Sequence, residues 1–489
     1  MSEQLIFPWL SLSVIASLVL AAWAWRAPQA ESARRIGLIA LVISFVALLA
    51  ASLQAALLSE GHHGSTLHEP FIRLFVVDAL NAIPLPLFAA LALGVMSFAP
   101  RRKVTPHWVA GVLLLSAATF VAYATTNLAL FAVAWIASLV PFFVKRFFNV
   151  AGESEMPKLA RAILIASCVM VVTAVILIAV ATTEGARFGM TTARAGNAPL
   201  LTVAFALLMV AVFLRKGLLP AHTWMLASYE RGPLLPLTLL VNSHLGAFLI
   251  ARFALPALPD VAREALPILG DLGLATALYA AVLAFAERQP RRLLALLSIS
   301  QSSFILVGLE SANADGITGA LIHWQVVAVA TTMLALVYTA IEARLATPWD
   351  GVKSLGLASS APRLAVFFAA GGLALVGLPL TLGFAAEDLL LHGTLESHPH
   401  LGFILALVTA LNAFHVLRLF IRLFLGQPGR EARAITDVLP RERWALTAAL
   451  LFLVLGGLRP MTLMRLPAEA AGRLAEAVNL IKHDTARWR

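Results

Sequence analysis

Cysteine is nearly missing from this 489-residue chain; the one there is, Cys168, sits inside an apolar run. A lone thiol excludes an internal disulfide and a thiolate-held iron–sulfur cluster, both of which need several. Charge is scarce too. Asp, Glu, Lys and Arg make up 13% of the chain, against about a quarter in a soluble domain, so there is too little polar surface for a water-soluble fold. Gly-rich dinucleotide and P-loop fingerprints are absent, and His62-His63 is a pair without further ligand spacing. We therefore expect no cofactor, no metal and no catalytic residue of redox or hydrolytic type within this polypeptide.

Apolar sequence is what the chain has in abundance. It is 60% hydrophobic, with a mean hydropathy of +0.87. Counting runs long enough to cross a bilayer gives about fourteen helices of roughly twenty residues each, from 5–25 to 445–463. The expected class is all-α, a polytopic protein of the lipid bilayer. The seventh and twelfth runs, 199–215 and 363–390, are interrupted, and the tenth, 292–309, follows the ninth after only a short basic turn.

The net charge of +10 does not point to nucleic acid, because the cations fall in short loops. Arg26, Arg34 and Arg35 follow the first run, Arg101, Arg102 and Lys103 the third, and Lys145, Arg146 and Lys158 the fifth. Arg288, Arg291 and Arg292 follow the ninth run, Arg344 and Lys353 the eleventh, and Arg430, Arg433, Arg441 and Arg443 the thirteenth. The intervening loops, including Glu60 to Arg73, are poor in cations. By the positive-inside rule the odd-numbered loops face the cytoplasm and both ends face outward. The opening MSEQLIFPWL lacks a basic n-region and a cleavage site, so the first run reads as a retained span. The tail from Pro467 reads as a surface helix.

Ionisable groups at membrane depth are costly and mark protein interiors or water paths. Five places qualify: Lys216 beside Gly217 and Pro220, His244, His323, Asp78 and Glu387, which is followed by Asp388. Paired Gly/Pro-interrupted hydrophobic segments are the mark of transporter folds built from repeats, with ions handled at the breaks. Lys216 and Glu387 each lie at such a break. A lone His on an apolar helix is more often a hydrogen-bonded core residue than a relay, though imidazole suits proton transfer near neutral pH. Asp78 reads as structural, and Arg215 as a span-end cation snorkelling to the cytoplasmic surface.

These residues carry a resemblance. The stretch KGLLPAHTWMLASYERGPLLP, with His222 and Trp224, resembles the K-x-x-x-P-x-H-x-W signature of the antiporter-like membrane subunits of respiratory complex I, NADH–quinone oxidoreductase chains L, M and N. That superfamily includes subunits of Mrp-type antiporters and membrane-bound hydrogenases. RRLLALLSISQSSFILVGL, ALIHWQVVAVATTMLAL, LPLTLGFAAEDLLL and ALNAFHVLRLFIRLFLG are similar to later family segments, and FIRLFVVDALN and NLALFAVAWIASL to earlier ones, all in order between about residues 70 and 426. The resemblance implies three leading helices over 1–100, inverted repeats over 101–255 and 256–426, and a last helix with an amphipathic tail over 427–489. It implies a buried relay of Lys216, His244, His323 and Glu387 carrying protons, or sodium, supported by Asp78, His222, Trp224 and Asp388. It also implies partner subunits, membrane and soluble, in a bacterial inner membrane.

The departures matter as much. Ile136 stands where the family's fifth helix has a glutamate that pairs with the seventh-helix lysine; Glu230 is a distant candidate replacement. Thr331 and Val327 replace an eleventh-span lysine and histidine, and Leu226-Ala227 replaces Pro-Asp. Such losses fit a divergent branch better than a respiratory subunit, one branch being the membrane partner in dissolved-inorganic-carbon accumulation. Two rival readings are a non-conducting scaffold and a secondary transporter for a small organic anion or a cation.

Overall fold

The structure, a computed structural model, describes residues 7–58, 67–69, 72–148, 154–182 and 198–486; Glu60, His62 and His63 lie outside them. Three helices lead, α1 (Trp9–Trp25), α2 (Ala30–Leu58) and α3 (Pro84–Phe98). Between the last two, β1 (Leu67–His68) pairs antiparallel with β2 (Val76–Val77). This ribbon has a purpose for its neighbour. Helix α1 begins without a side-chain cap of its own, and the Glu69 carboxylate after β1 accepts from the backbone N–H groups of Leu10 and Ser11. Free N–H groups at a helix start attract negative charge, so a distant acid closes what the local sequence leaves open.

Five spans follow. They are α4 (Pro106–Ala124), α5 (Leu128–Ala137) with α6 (Val140–Phe143), α7 (Lys158–Ala181), α8 (Ala198–Lys216) with α9 (Thr223–Arg231), and α10 (Leu234–Asn242) running through α11 (Leu245–Leu249) and a π-turn at Ile250–Ala254 to α12 (Leu255–Ala257). Five more follow: α13 (Pro259–Ala286), α14 (Pro290–Glu310), α15 (Ala314–Arg344), α16 (Pro362–Leu375) with α17 (Leu382–Ser397), and α18 (Pro399–Phe424). Five is odd, so the second set enters from the face opposite the first, and the sets are inverted. In each, the fourth span is broken. A short α19 (Arg430–Arg433) leads to α20 (Pro440–Leu458), and α21 (Pro460–Ala486) turns away from it by 83°. Among the described residues, nine long apolar helices, one bent pair and four shorter apolar helices make fourteen spans.

The sequence makes these helices because lipid offers backbone groups no other partner, and small polar residues close the ends. Thr105, Asn127 and Asn313 each accept a backbone N–H in the first turn of α4, α5 and α15. Burial then sorts them. The apolar stretch of α14 is 100% buried and that of α15 89%, whereas α7 is 28% buried with Ile165, Val169 and Ile176 turned outward. The tenth span is thus the most enclosed of the long helices, and packing against neighbours lets it carry its serines and Gln301.

Candidate functional site

At the first break the chain leaves α8 at Lys216 and turns through Gly217, whose φ is +67°. That left-handed conformation costs any residue with a Cβ. The Trp224 indole closes the turn by donating from Nε1 to the Leu214 carbonyl at 2.9 Å. His222 precedes α9, its ring edge-on to Tyr279. Lys216 itself is 9% exposed, and its Nζ has no hydrogen-bond partner.

Arg215 does not snorkel. It is 7% exposed, donates to the Trp135 carbonyl at 3.0 Å and to Ser138 Oγ at 2.7 Å, and lies 4.3 Å over the Trp135 ring. The break between α5 and α6 supplies those acceptors; an uninterrupted helix would keep that carbonyl for itself. Glu230 is not a partner for Lys216, since it pairs with Arg292 at 3.1 Å.

A third interruption in the same set falls at His244, between α10 and α11, with φ of 43°. A non-glycine residue held there is strained, and such strain collects at functional sites. Tyr123 donates to the Ser243 carbonyl that the break frees. The His244 ring lies 6.0 Å from Trp324, edge-on, and its Nε2 is buried without a partner. Lys216, His244, Trp224 and Ser302 line one cavity of about 20 Å³, enough for about one water.

Ser302 connects the cavity to α14. His323, fully buried on α15, donates from Nε2 to the Gln301 carbonyl at 3.1 Å. The neutral ring then keeps Nδ1 as an acceptor, and that atom is unpartnered, as are both amide atoms of Gln301. Asn412 of α18 donates to Ser300 Oγ at 2.8 Å. One turn earlier on α18, Thr409 faces Glu387 of α17. Glu387 is partly enclosed, with Oε1 buried and unpartnered. Buried polar atoms in folded proteins almost always bond, to protein or to ordered water. The orphaned atoms on Lys216, His244, Gln301, His323 and Glu387 are therefore positions suited to water.

The supporting residues divide. Trp224 belongs to the cavity. Asp78 does not: it is buried against the Arg252 guanidinium, which donates to both carboxylate oxygens. Asp388 is exposed beside Glu387. Thr331, in the place of a family lysine, bonds Asn242 at 3.0 Å. The residues missed by sequence reasoning are Arg215, Asn242, Gln301, Ser302, Thr409 and Asn412. Arg215 was noticed for its charge but placed at the surface; the signal of the others was polarity inside apolar runs, without charge to single it out. Among the described residues, no group of His, Cys, Asp and Glu could hold a metal.

A family model described as "NADH:quinone oxidoreductase/Mrp antiporter, TM" matches residues 112–412. NADH-quinone oxidoreductase subunit M of Rickettsia prowazekii is 27% identical over 274 residues, covering 55% of this chain and 56% of its own length. The chain thus spans little more than half the length of the curated relative it matches. A chain of respiratory complex I from Thermus thermophilus superposes with a TM-score of 0.83 at 23% identity, covering 96% of this chain and 99% of its own. A chain of the Mrp complex from Dietzia sp. DQ12-45-1b does so with a TM-score of 0.79 at 20% identity, covering 97% and 98%.

Proposed function

The chain belongs to the NADH:quinone oxidoreductase/Mrp antiporter membrane family, and from that premise we propose that it conducts protons along Lys216, His244, His323 and Glu387 as a subunit of a larger, complex-I-related assembly in a bacterial inner membrane. The observation that carries this reading is the set of buried polar atoms without a hydrogen-bond partner, on Lys216, His244, Gln301, His323, Asn412 and Glu387, that accompanies the two helix breaks. An amine at one end and a carboxylate at the other can each hold or release a proton. His323 Nδ1 and the Gln301 amide offer an acceptor and a donor between them. Water held at the orphaned atoms bridges the gaps. Weakly bound, hydrated sites favour transfer over storage.

The test is coupled proton uptake by proteoliposomes carrying the assembled complex. Lys216→Ala is expected to lower uptake by about a hundredfold, the low end for a positioned proton-transfer group. Uptake like that of the wild type would overturn the reading. A second reading has support of its own: Ile136 and Thr331 remove two ionisable groups of the family's relay, which favours a scaffold that has stopped conducting. Full coupled activity in a triple variant of Lys216, His323 and Glu387 would select it.

The same departures favour a divergent branch, in which the soluble partner hydrates CO2 to bicarbonate. Identification of the chain that co-purifies tests this directly. A zinc hydrase-like protein supports it; a nickel hydrogenase or a flavin–iron–sulfur arm overturns it.

A further inference from the structure

We propose that the cavity between α8 and the α10–α11 break binds a compact monovalent anion, halide or small oxyanion, held by the Arg215 guanidinium, the Lys216 amine and the His244 ring. Three observations carry it. The first is a charge count. Arg215 and Lys216 are both buried and both line the cavity. The hydrogen bonds of Arg215 go to a neutral carbonyl and a neutral hydroxyl. The acidic groups close enough to act on it are Cys168 and Tyr123, and none acts on Lys216. A thiol and a phenol in apolar surroundings are neutral at pH 7. Among the described residues no carboxylate faces either cation. Arg stays charged in proteins, and a buried charge left without a counter-charge costs several kcal/mol.

The second observation is the donor set. Lys216 Nζ and His244 Nε2 are buried, unpartnered and at the cavity wall. Lys216 supplies N–H donors only, and a neutral imidazole can present one. Ser302 also lines the cavity, its hydroxyl turned to the Ile299 carbonyl of its own helix. Oriented donors around a gap and no fixed acceptor of opposite charge describe a receptor for an anion. The third is fit. The cavity of about 20 Å³ suits a particle near the size of water, and Leu240, Val241 and Leu245 make the rest of its wall apolar, favouring a weakly hydrated ion. Gly246 keeps the opening: a Cβ there would stand 2.9 Å from Val212 Cγ1 and 3.3 Å from Lys216 Cγ.

The site shares Lys216 with the proton path but does not rest on conduction, because binding is read at equilibrium. The experiment is thermal unfolding of the full chain in lipid nanodiscs, titrated with chloride, bromide or bicarbonate against gluconate at constant ionic strength. The expected result is a saturable rise of the midpoint with at least one of the three, as for any ligand that binds only the folded state. The rise should be lost in Arg215→Gln and Lys216→Gln. Should those variants not fold, Gly246→Val, which keeps both cations and fills the opening, should lower the apparent affinity at least about tenfold. In crystals of the wild-type chain grown in bromide, an anomalous peak is expected in the cavity. Chloride and bromide acting without bicarbonate assign a halide; the reverse assigns an oxyanion. No saturable response to any of the three, or a bromide peak elsewhere with none in the cavity, overturns the site. Proton flux persisting beside that negative result would leave the pathway standing. Saturable binding in a preparation that moves no protons would leave the site and remove the pathway.

Discussion

The two inverted sets share a plan and differ in what they bury. In the first, three spans are interrupted, at Ser138, Gly217 and His244, and the groups at the interruptions are Arg215, Lys216 and His244. In the second, one span is interrupted, and the group beside it is the acid Glu387. Every interruption frees backbone groups that lipid cannot satisfy, so the first set needs more local repair. Trp224, Tyr123 and Arg215 provide it by bonding freed carbonyls. The lesson is that a cation-rich half and an acidic half have different tolerances: one is held by side chains that reach into breaks, the other by close helix packing.

The largest expected effect tests the first half's anchoring. Arg252, in its last span, is buried against Asp78 of the leading segment. Asp78→Asn leaves a guanidinium enclosed without its counter-ion, and stability should fall by about 3–5 kcal/mol. Reversible unfolding in mixed detergent micelles measures it. A loss as small as that from an exposed pair would mean water reaches Arg252.

Next come the glycines of the two breaks. Gly217 and Gly377 both have positive φ, +67° and +71°, so alanine at either should cost about 1–2 kcal/mol. Their surroundings separate them. A Cβ at Gly217 meets its nearest atom at 3.4 Å, in ordinary contact, whereas at Gly377 it would lie 2.5 Å from Glu387 Oε2. Gly377→Ala should therefore displace the carboxylate and depress proton flux far more than Gly217→Ala at similar stability. Equal fluxes would deny Glu387 its part.

How much of this was legible in the sequence follows from the same contrast. Gly217 with Pro220 and Gly377 with Pro379 announce their breaks, because both residue types oppose a helix. The breaks at Ser138 and His244 carry weaker signals: His244 has neither residue beside it, and its left-handed turn is sustained by Tyr123 from a distant helix. Hydropathy found the spans, since burial in lipid or in protein both ask for apolar residues. The two still differ in degree: α7, which turns apolar side chains outward, is the more apolar, and the enclosed α14 the less. Arg215 was misread because a cation at a span's end looks the same whether it leaves the membrane or folds back onto Trp135.

A smaller effect compares the fifth span of each set. The Asn242 amide nitrogen lies within hydrogen-bonding reach of the Ala328 carbonyl, Thr331 and Thr332, and its oxygen of Thr331; Asn412 donates to Ser300 Oγ, with its Oδ1 unpartnered. Interhelical hydrogen bonds in membranes average about 0.6 kcal/mol, with a maximum near 1.7. Asn242→Ala should fall near the top of that range and Asn412→Ala near the middle, measured by the same unfolding assay. The ranking would reverse if the unpartnered Asn412 oxygen is held by water.

The smallest effect lies in the matched loops before the third span of each set. Glu310, at the end of α14, is enclosed and meets His398 at 3.1 Å. Glu155, before α7, is open to solvent and meets Lys145 at 3.0 Å and Arg161 at 2.7 Å. Hydrogen bonds from Lys145 and then Arg161 hold the Glu155 carboxyl below its ordinary value. A depressed carboxylate stabilises the fold above the unfolded-state value of about 4.5 and loses that contribution as pH falls through the folded value. Water screens a pair this exposed, so Glu155→Gln should leave unfolding indistinguishable from wild type at pH 7, with no gap to close at pH 4. A measurable gap at pH 7 that closes on acidification would mean that something covers this loop.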